Sequence, residues 1–342
     1  MFKEYNFCIY CKSKRLEPIR NIKNTRDNFY LKAIRSDLGL SKKKLEKKIK
    51  LHECKKCGIL QNNPWFNENF VKKIYFNIYG QHHRNWTNLL NFYQKGILPN
   101  HGKLFDIIKN KLKIKTYAEY NGPFMGLFLD FFNNENIRNN KLYKNYIKNI
   151  FGYLTARQVA GKNKNLHKKS MTNAKNYLNK INNFKNKNKN KNKNIKKILY
   201  TDNSYLGWGQ NDNYKSINSK SFAQEMFDFN LLEVSNKNKH KIDLFGIFHS
   251  FDHTQNPKKI LDFALENSKL VIVYAHIDNN MNKQHLFSLT EKFLKYLNNQ
   301  KIYIHVLTHE IKKKYSSPEI YFICSKHKNY ISTFKKNVFK KD

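Results

Sequence analysis

KTYAEYNGPFMG, residues 115–126, is the stretch on which the fold turns. A β-prone run closes at Glu119, and the chain bends at once through Asn121 and Gly122. It resumes at Leu127-Phe128-Leu129 as an apolar run that starts a helix. Strand, tight turn and helix together make a ligand seat in an open α/β sheet. The turn lies at the carboxyl end of the strand, and the helix amino-terminus offers unpaired N–H groups. A second stretch, IDLFGIFHSFDHTQNP at 242–257, fits a later strand of the same sheet.

Beyond the first turn, helical patterns run over 139–152 and 165–183. The alternating KNKNKNKNKN of 185–194 cannot bury a face and reads as a solvated loop. IKKILYT at 195–201 is a strand ending at Asp202, with Tyr205 and Trp208 in the aromatic segment after it. The segment 221–234 contains Asp228 at a strand-to-loop junction. Strands are expected at 241–248 and 269–274, helices at 257–266 and 288–297, and a closing antiparallel pair at 302–307 and 319–324. Alternation of this kind predicts an α/β domain over 114–330, doubly wound with about seven strands. Residues 331–342 read as a basic tail.

Upstream, residues 64–95 carry aromatic and aliphatic side chains at helical spacing and read as two helices broken near Gly80. Their aromatic stripe is either interdomain core or a wall facing the substrate. GKLFDIIKNKLKI at 102–114 is a further amphipathic helix, so 63–113 forms a helical connector. The first 62 residues hold two CxxC pairs, Cys8/Cys11 and Cys54/Cys57, followed by Lys12 and Gly58. Each pair sets two thiolates on one side of a turn, and four such ligands complete a tetrahedral structural zinc site. The long gap between the pairs holds inserted structure, with SKKKLEKKIKL at 41–51 expected as a capped helix. Cys324, in the apolar run IYFIC, is expected in the core.

A formal charge of +40 suggests a nucleic-acid partner through counterion release. The charge, however, is mostly lysine scattered among asparagines, two residues that share A-rich codons, and it lacks arginine forks in a localised patch. Compositional drift is the competing explanation. No apolar run has the roughly 18 residues that a membrane span needs, and MFKEYNFCIYCKSK lacks a signal-peptide core, so a cytoplasmic protein with no membrane partner is expected.

On these residues the chain resembles the class I S-adenosylmethionine-dependent methyltransferases, and within them the sugar C-methyltransferases that carry an amino-terminal zinc-binding domain. CIYCKSK and HECKKCGILQ look like paired zinc knuckles, and TYAEYNGPFMG like the acidic strand end with its glycine-rich turn. IDLFGIFHSFDHTQNPKKIL looks like the fourth strand and its helix, and QHLFSLTEKFLKYL like the segment after the fifth. The resemblance implies a Rossmann-like doubly wound seven-stranded sheet behind a small zinc-binding domain, with S-adenosylmethionine as cofactor. Asn121 stands where the family's first turn glycine falls, and asparagine tolerates positive φ. Pro123 stiffens the turn and removes a donor.

The resemblance also implies roles. Glu119, with Tyr120, Asn121, Gly122 and Gly126, would hold the amino-acid end of the cofactor. Asp202 would accept the ribose hydroxyls, unless it is an exposed turn residue. Asp228 and Phe229 would read and stack the adenine, and Phe248 completes the cofactor set. If the methyl acceptor is a carbon beside a carbonyl, a base must remove a proton. His249, at the lip of the fourth strand, is the geometric favourite, followed by His253, His285 and Tyr274. His253 can instead pack or cap the following helix. The acceptor is expected to be a small molecule such as a nucleotide-linked sugar. A zinc-knuckle nucleic-acid binder, an RNA methyltransferase and a non-catalytic relative are the alternatives.

Overall fold

A computed structural model describes residues 2–19, 49–71, 104, 108, 111–120, 172, 176, 195–205, 230–235, 240–277, 285–308 and 319–339. Its largest unit is a seven-stranded sheet. In chain order the strands are β6 (Thr116–Tyr120), β7 (Lys196–Thr201), β8 (Asn230–Glu233), β9 (Ile242–Phe248), β10 (Ser268–His276), β12 (Tyr303–Val306) and β13 (Glu319–Ser325). Across the sheet the order is β12-β13-β10-β9-β6-β7-β8, and β13 alone runs antiparallel to its neighbours. The expected strands at 195–201, 241–248 and 269–274 and the closing antiparallel pair are all present.

The chain leaves β6 toward β7 and β8 on one side and returns to β9 and β10 on the other. The strand order therefore reverses between β6 and β9, the position where open α/β sheets hold ligands beyond their carboxyl ends. The residues of these strands explain their place. Tyr117, Ala118, Ile198, Leu199, Leu244, Phe245, Val271 and Ile272 are inaccessible to solvent, as expected of parallel strands covered on both faces. At the opposite edge Asp243 fixes the register. Its carboxylate accepts from the backbone N–H of Lys115 (2.8 Å) and Thr116 (3.1 Å) and pairs with Lys269.

Helix α1 (Pro257–Asn267) opens with proline, whose fixed φ suits the first helical turn. It lays Phe263 against Tyr200 (ring centroids 4.9 Å apart) and Phe245. Helix α2 (Glu291–Asn299) is capped by Thr290, whose hydroxyl accepts from the N–H of Phe293, and it buries Phe293, Leu294 and Leu297. Helix α3 (Lys328–Phe339) corrects the expected basic tail. Its lysines mask an apolar stripe in which Phe334 is fully buried and Ile331 nearly so, packed on β12 and β13. Among the described residues no helix is long and apolar enough to cross a membrane.

A second, four-stranded sheet has the order β11-β4-β3-β2, built from β2 (Leu16–Pro18), β3 (Lys50–Cys54), β4 (Leu60–Asn63) and β11 (Phe287–Ser288). Three strands come from the cysteine-bearing region and the fourth from far down the chain, so this region is stitched into the main body. Two other expectations change here. Lys50 and Leu51 start strand β3 instead of ending a helix; residues 41–48 lie outside the described residues. Trp65-Phe66 forms β5, paired with β1 (Phe2–Lys3), and a helix begins only at Glu68, capped by Asn67. Residues 72–95 of the aromatic stripe, including Gly80, are outside the described residues, as are the 185–194 run and Trp208. Leu104 and Ile108, one helical turn apart, are both helical and buried, in keeping with the amphipathic pattern of 102–114.

Candidate functional site

Two knuckles of the same design carry the four cysteines. In each, the residue after the second cysteine donates its N–H back to the carbonyl of the first: Lys12 to Cys8 at 3.1 Å, Gly58 to Cys54 at 2.7 Å. Both residues have positive φ, 58° at Lys12 and 76° at Gly58. Glycine is required at the second position for a further reason. A Cβ there would sit 2.4 Å from Cβ of Lys292 and 3.2 Å from the α2 backbone.

The four sulfurs lie within 4.8 Å of one another, with Cys8–Cys57 and Cys11–Cys54 at 3.5 Å. A tetrahedral zinc with Zn–S bonds of ~2.3 Å has S···S edges of about 3.8 Å, so the donor set fits that ion in spacing and chemistry. Hydrogen bonds from Cys57 and Cys8 push the Cys54 thiol far below its ordinary range. The same contacts push the Cys8 and Cys57 thiols up, so without metal the cluster favours a thiolate at Cys54, and the other thiols would lose their protons on binding an ion. The fifth cysteine, Cys324, is buried in β13 as expected, and burial raises its thiol.

The knuckles are coupled to the sheet's carboxyl edge. The Thr290 hydroxyl that caps α2 donates to the carbonyl of Gly58 at 2.7 Å, and Tyr10 packs edge-on against Phe293. Asn62 in β4 donates its side-chain amide to the carbonyl of His285 (2.7 Å) and its backbone N–H to that of Leu286 (2.9 Å). Asn62→Ala leaves the buried carbonyl of His285 without that donor. It should cost about 1–3 kcal/mol in urea unfolding and loosen the histidine-bearing segment; an unchanged midpoint would show that the clamp is unimportant.

At the strand-order reversal, Glu119 stands beside Leu199 of β7 and Gly246 of β9. It is fully buried; its Oε2 accepts from the Tyr117 hydroxyl at 3.3 Å and its Oε1 has no hydrogen-bond partner. Burial raises this carboxyl to about 8, against a weaker downward pull from Tyr117. Gly246 makes the pair possible, because a Cβ there would meet the Tyr117 hydroxyl and the Phe248 ring, each at 2.4 Å. Tyr120 is buried, its carbonyl accepts from the Ser250 hydroxyl (3.1 Å), and its ring meets Tyr205 edge-on. Phe248, also buried, ends β9.

Asp202 follows β7 and is largely buried, not an exposed turn residue. Its Oδ1 accepts from the N–H of Ser204 (2.6 Å) and its Oδ2 pairs with Lys259 of α1 (2.9 Å). A ribose binding here would compete with that lysine. Asn121, Gly122, Gly126, Asp228 and Phe229 lie outside the described residues.

The candidate bases fall into two groups. His249 has φ 52°, a strained backbone of the kind that collects at functional sites. Its ring sits 4.3 Å from that of Tyr274, whose carbonyl accepts the His249 N–H. His253 and His285 form the second group, with ring centroids 4.6 Å apart. His253 lies in a 3-10 turn, Phe251–His253, ahead of α1 and not within it.

Two residues not singled out from the sequence complete the second group. Asp252 is wholly buried, and His276, at the end of β10, donates from Nδ1 to Asp252 Oδ2 and stacks on His285 at 4.2 Å. Burial alone would raise the Asp252 carboxyl, but the pairing with His276 outweighs it and holds it well below the ordinary range. Burial lowers His253 and His285, keeping both imidazoles neutral. The available signal was positional, since Asp252 and His276 follow or end adjacent parallel strands and so share one edge.

Among solved structures the chain aligns with the plantazolicin methyltransferase BpumL in complex with SAH (TM-score 0.36, 8% identity, 75% of this chain and 94% of that one). It also aligns with the 16S rRNA methylase ArmA (TM-score 0.31, 11% identity, 76% of this chain and 98% of that one). No family model and no curated protein matches. Likenesses of this size fix no activity.

Proposed function

We propose that the chain is an S-adenosylmethionine-dependent methyltransferase of a small acceptor, with structural zinc in the Cys8/Cys11/Cys54/Cys57 site. The observation that carries the reading is the strand-order reversal between β6 and β9, with a buried, half-satisfied carboxylate beside it at Glu119. The cofactor supplies a methyl group on a sulfonium, and in-line transfer depends chiefly on positioning. Glu119 would take the positive amino-acid end of the cofactor, and Asp202 the ribose after releasing Lys259. Phe248 and Tyr120 would offer aromatic surface near the cation.

His249, held with positive φ where β9 ends and packed on Tyr274, would accept a proton from an acceptor carbon. A base at that position would serve C-methylation of an activated sugar-like metabolite. The rival reading rests on the charge of +40. Thermal melts with S-adenosylhomocysteine should show a ligand-dependent rise that changes little with salt. Absence of any rise, together with RNA binding that weakens steeply with salt, would replace the small-molecule reading by the nucleic-acid one.

A further inference from the structure

We propose that Asp252, His253 and His285 form a second metal site, for a first-row divalent transition ion, at the carboxyl edge of β9 and β10 and distinct from the four-cysteine site. One ligand atom from each of the three residues lies within 4.8 Å of the other two. Asp252 divides its carboxylate between two tasks. Oδ2 is taken by His276 Nδ1, whereas Oδ1 is buried without a hydrogen-bond partner and faces Nε2 of His253 at 3.9 Å. A buried carboxylate oxygen left in that condition is costly, and a cation is one of the few things that satisfies it.

Pairing Asp252 with His276 would on its own account for a buried acid beside a histidine. It does not account for two further imidazoles drawn to the same carboxylate, His285 lying 4.2 Å from His276 and 4.6 Å from His253 between ring centroids. Metal–N and metal–O bonds of ~2.0–2.2 Å imply ligand–ligand edges of about 3–3.5 Å. Side-chain rotations moving each atom by ~1 Å close the triad onto an ion. His276 then acts as the outer partner that fixes the carboxylate's orientation, as ligating carboxylates usually require.

One carboxylate and two imidazoles suit iron, manganese, cobalt, nickel or zinc, whereas the thiolate site favours zinc, so the two sites differ in preference. Three protein ligands leave coordination positions open. Resting on the methyl-transfer reading, those positions would take a hydroxyl or carbonyl oxygen of the acceptor and orient it toward the cofactor; metal binding itself does not depend on that reading.

The test is a Co²⁺ titration of the full chain with its cysteine site already filled by zinc. One equivalent of Co²⁺ should bind with visible d–d bands and no thiolate-to-cobalt charge transfer. Asp252→Asn and His285→Gln should weaken it at least tenfold, and His276→Gln by about 10–100-fold, with zinc content unchanged in each. Absence of any Co²⁺ binding beside the zinc, or Co²⁺ binding undiminished by all three substitutions, would overturn the site. If Asp252→Asn fails to fold, the unsubstituted protein's spectrum and His276→Gln still decide. S-adenosylhomocysteine melts run alongside keep the two proposals apart: the second ion can bind where the cofactor product does not, and the reverse.

Discussion

Cys57→Ser is expected to release zinc and lower the melting temperature by on the order of 10 °C, corresponding to several kcal/mol lost from a structural metal site. The effect should reach far beyond the knuckle, since its neighbours are elements of the main body. Gly58 lies against α2 and accepts from Thr290, Tyr10 packs on Phe293, and β4 pairs with β11. Without the metal, the four sulfurs within 4.8 Å must share protons in a buried space, and the turns that hold them lose their common tie. A strong chelator should reproduce the substitution. Zinc analysis beside differential scanning calorimetry checks both, and a zinc-free protein melting where the native one melts would refute the structural role.

Glu119→Gln should raise stability and lower cofactor affinity together. The carboxyl is near 4.5 when unfolded and raised to about 8 by burial when folded. Its folded-state value is the higher one, so between those limits the folded chain binds more protons and stability falls as pH rises. The penalty is absent below about pH 4.5 and complete above about pH 8. The glutamine variant escapes it and should be the more stable form at pH 8 by an amount on the order of a few kcal/mol. Binding runs the other way. If the cofactor's cationic end requires ionised Glu119, affinity drops about tenfold for each pH unit below 8. The variant should bind about 10–100-fold more weakly at pH 8 and lose that pH dependence. Melting curves at pH 5 and pH 8 for both proteins separate a carboxylate kept for binding from one kept for packing; a variant no more stable at the higher pH would exclude the former.

Strands buried on both faces were the most legible part of the sequence. ILYT of β7, LFGIF of β9 and LVIVYA of β10 are largely apolar runs too short for helices and bounded by polar residues. The closing pair, β12 and β13, followed the same rule. Helix α3 was hidden because Tyr330, Ile331, Phe334 and Val338 are interrupted by Ser332, Thr333, Lys335, Lys336 and Asn337, polar residues that stay in water while the stripe packs inward. Strand β11 was hidden for a different reason, since two residues pairing with a segment more than 200 positions away leave no local pattern. In the candidate site, the strand-end residues Glu119, Asp202 and His249 could be placed from the chain alone. The grouping of Asp252, His253, His276 and His285 could not, because it needs the parallel register of β9 against β10 and the packing of His285 on His253 and His276. Gly58 is a natural turn residue, whereas nothing in the type of Lys12 announces its positive φ, which the two share because each returns its N–H to its cysteine loop.

Isothermal titration of the zinc-loaded chain with S-adenosylhomocysteine at pH 8 and again at pH 6 tests the central proposition most directly. The account predicts a single site per chain whose affinity falls about a hundredfold between the two values as Glu119 takes up its proton. Saturation absent at both pH values, in protein that retains its zinc and its cooperative melt, would contradict it.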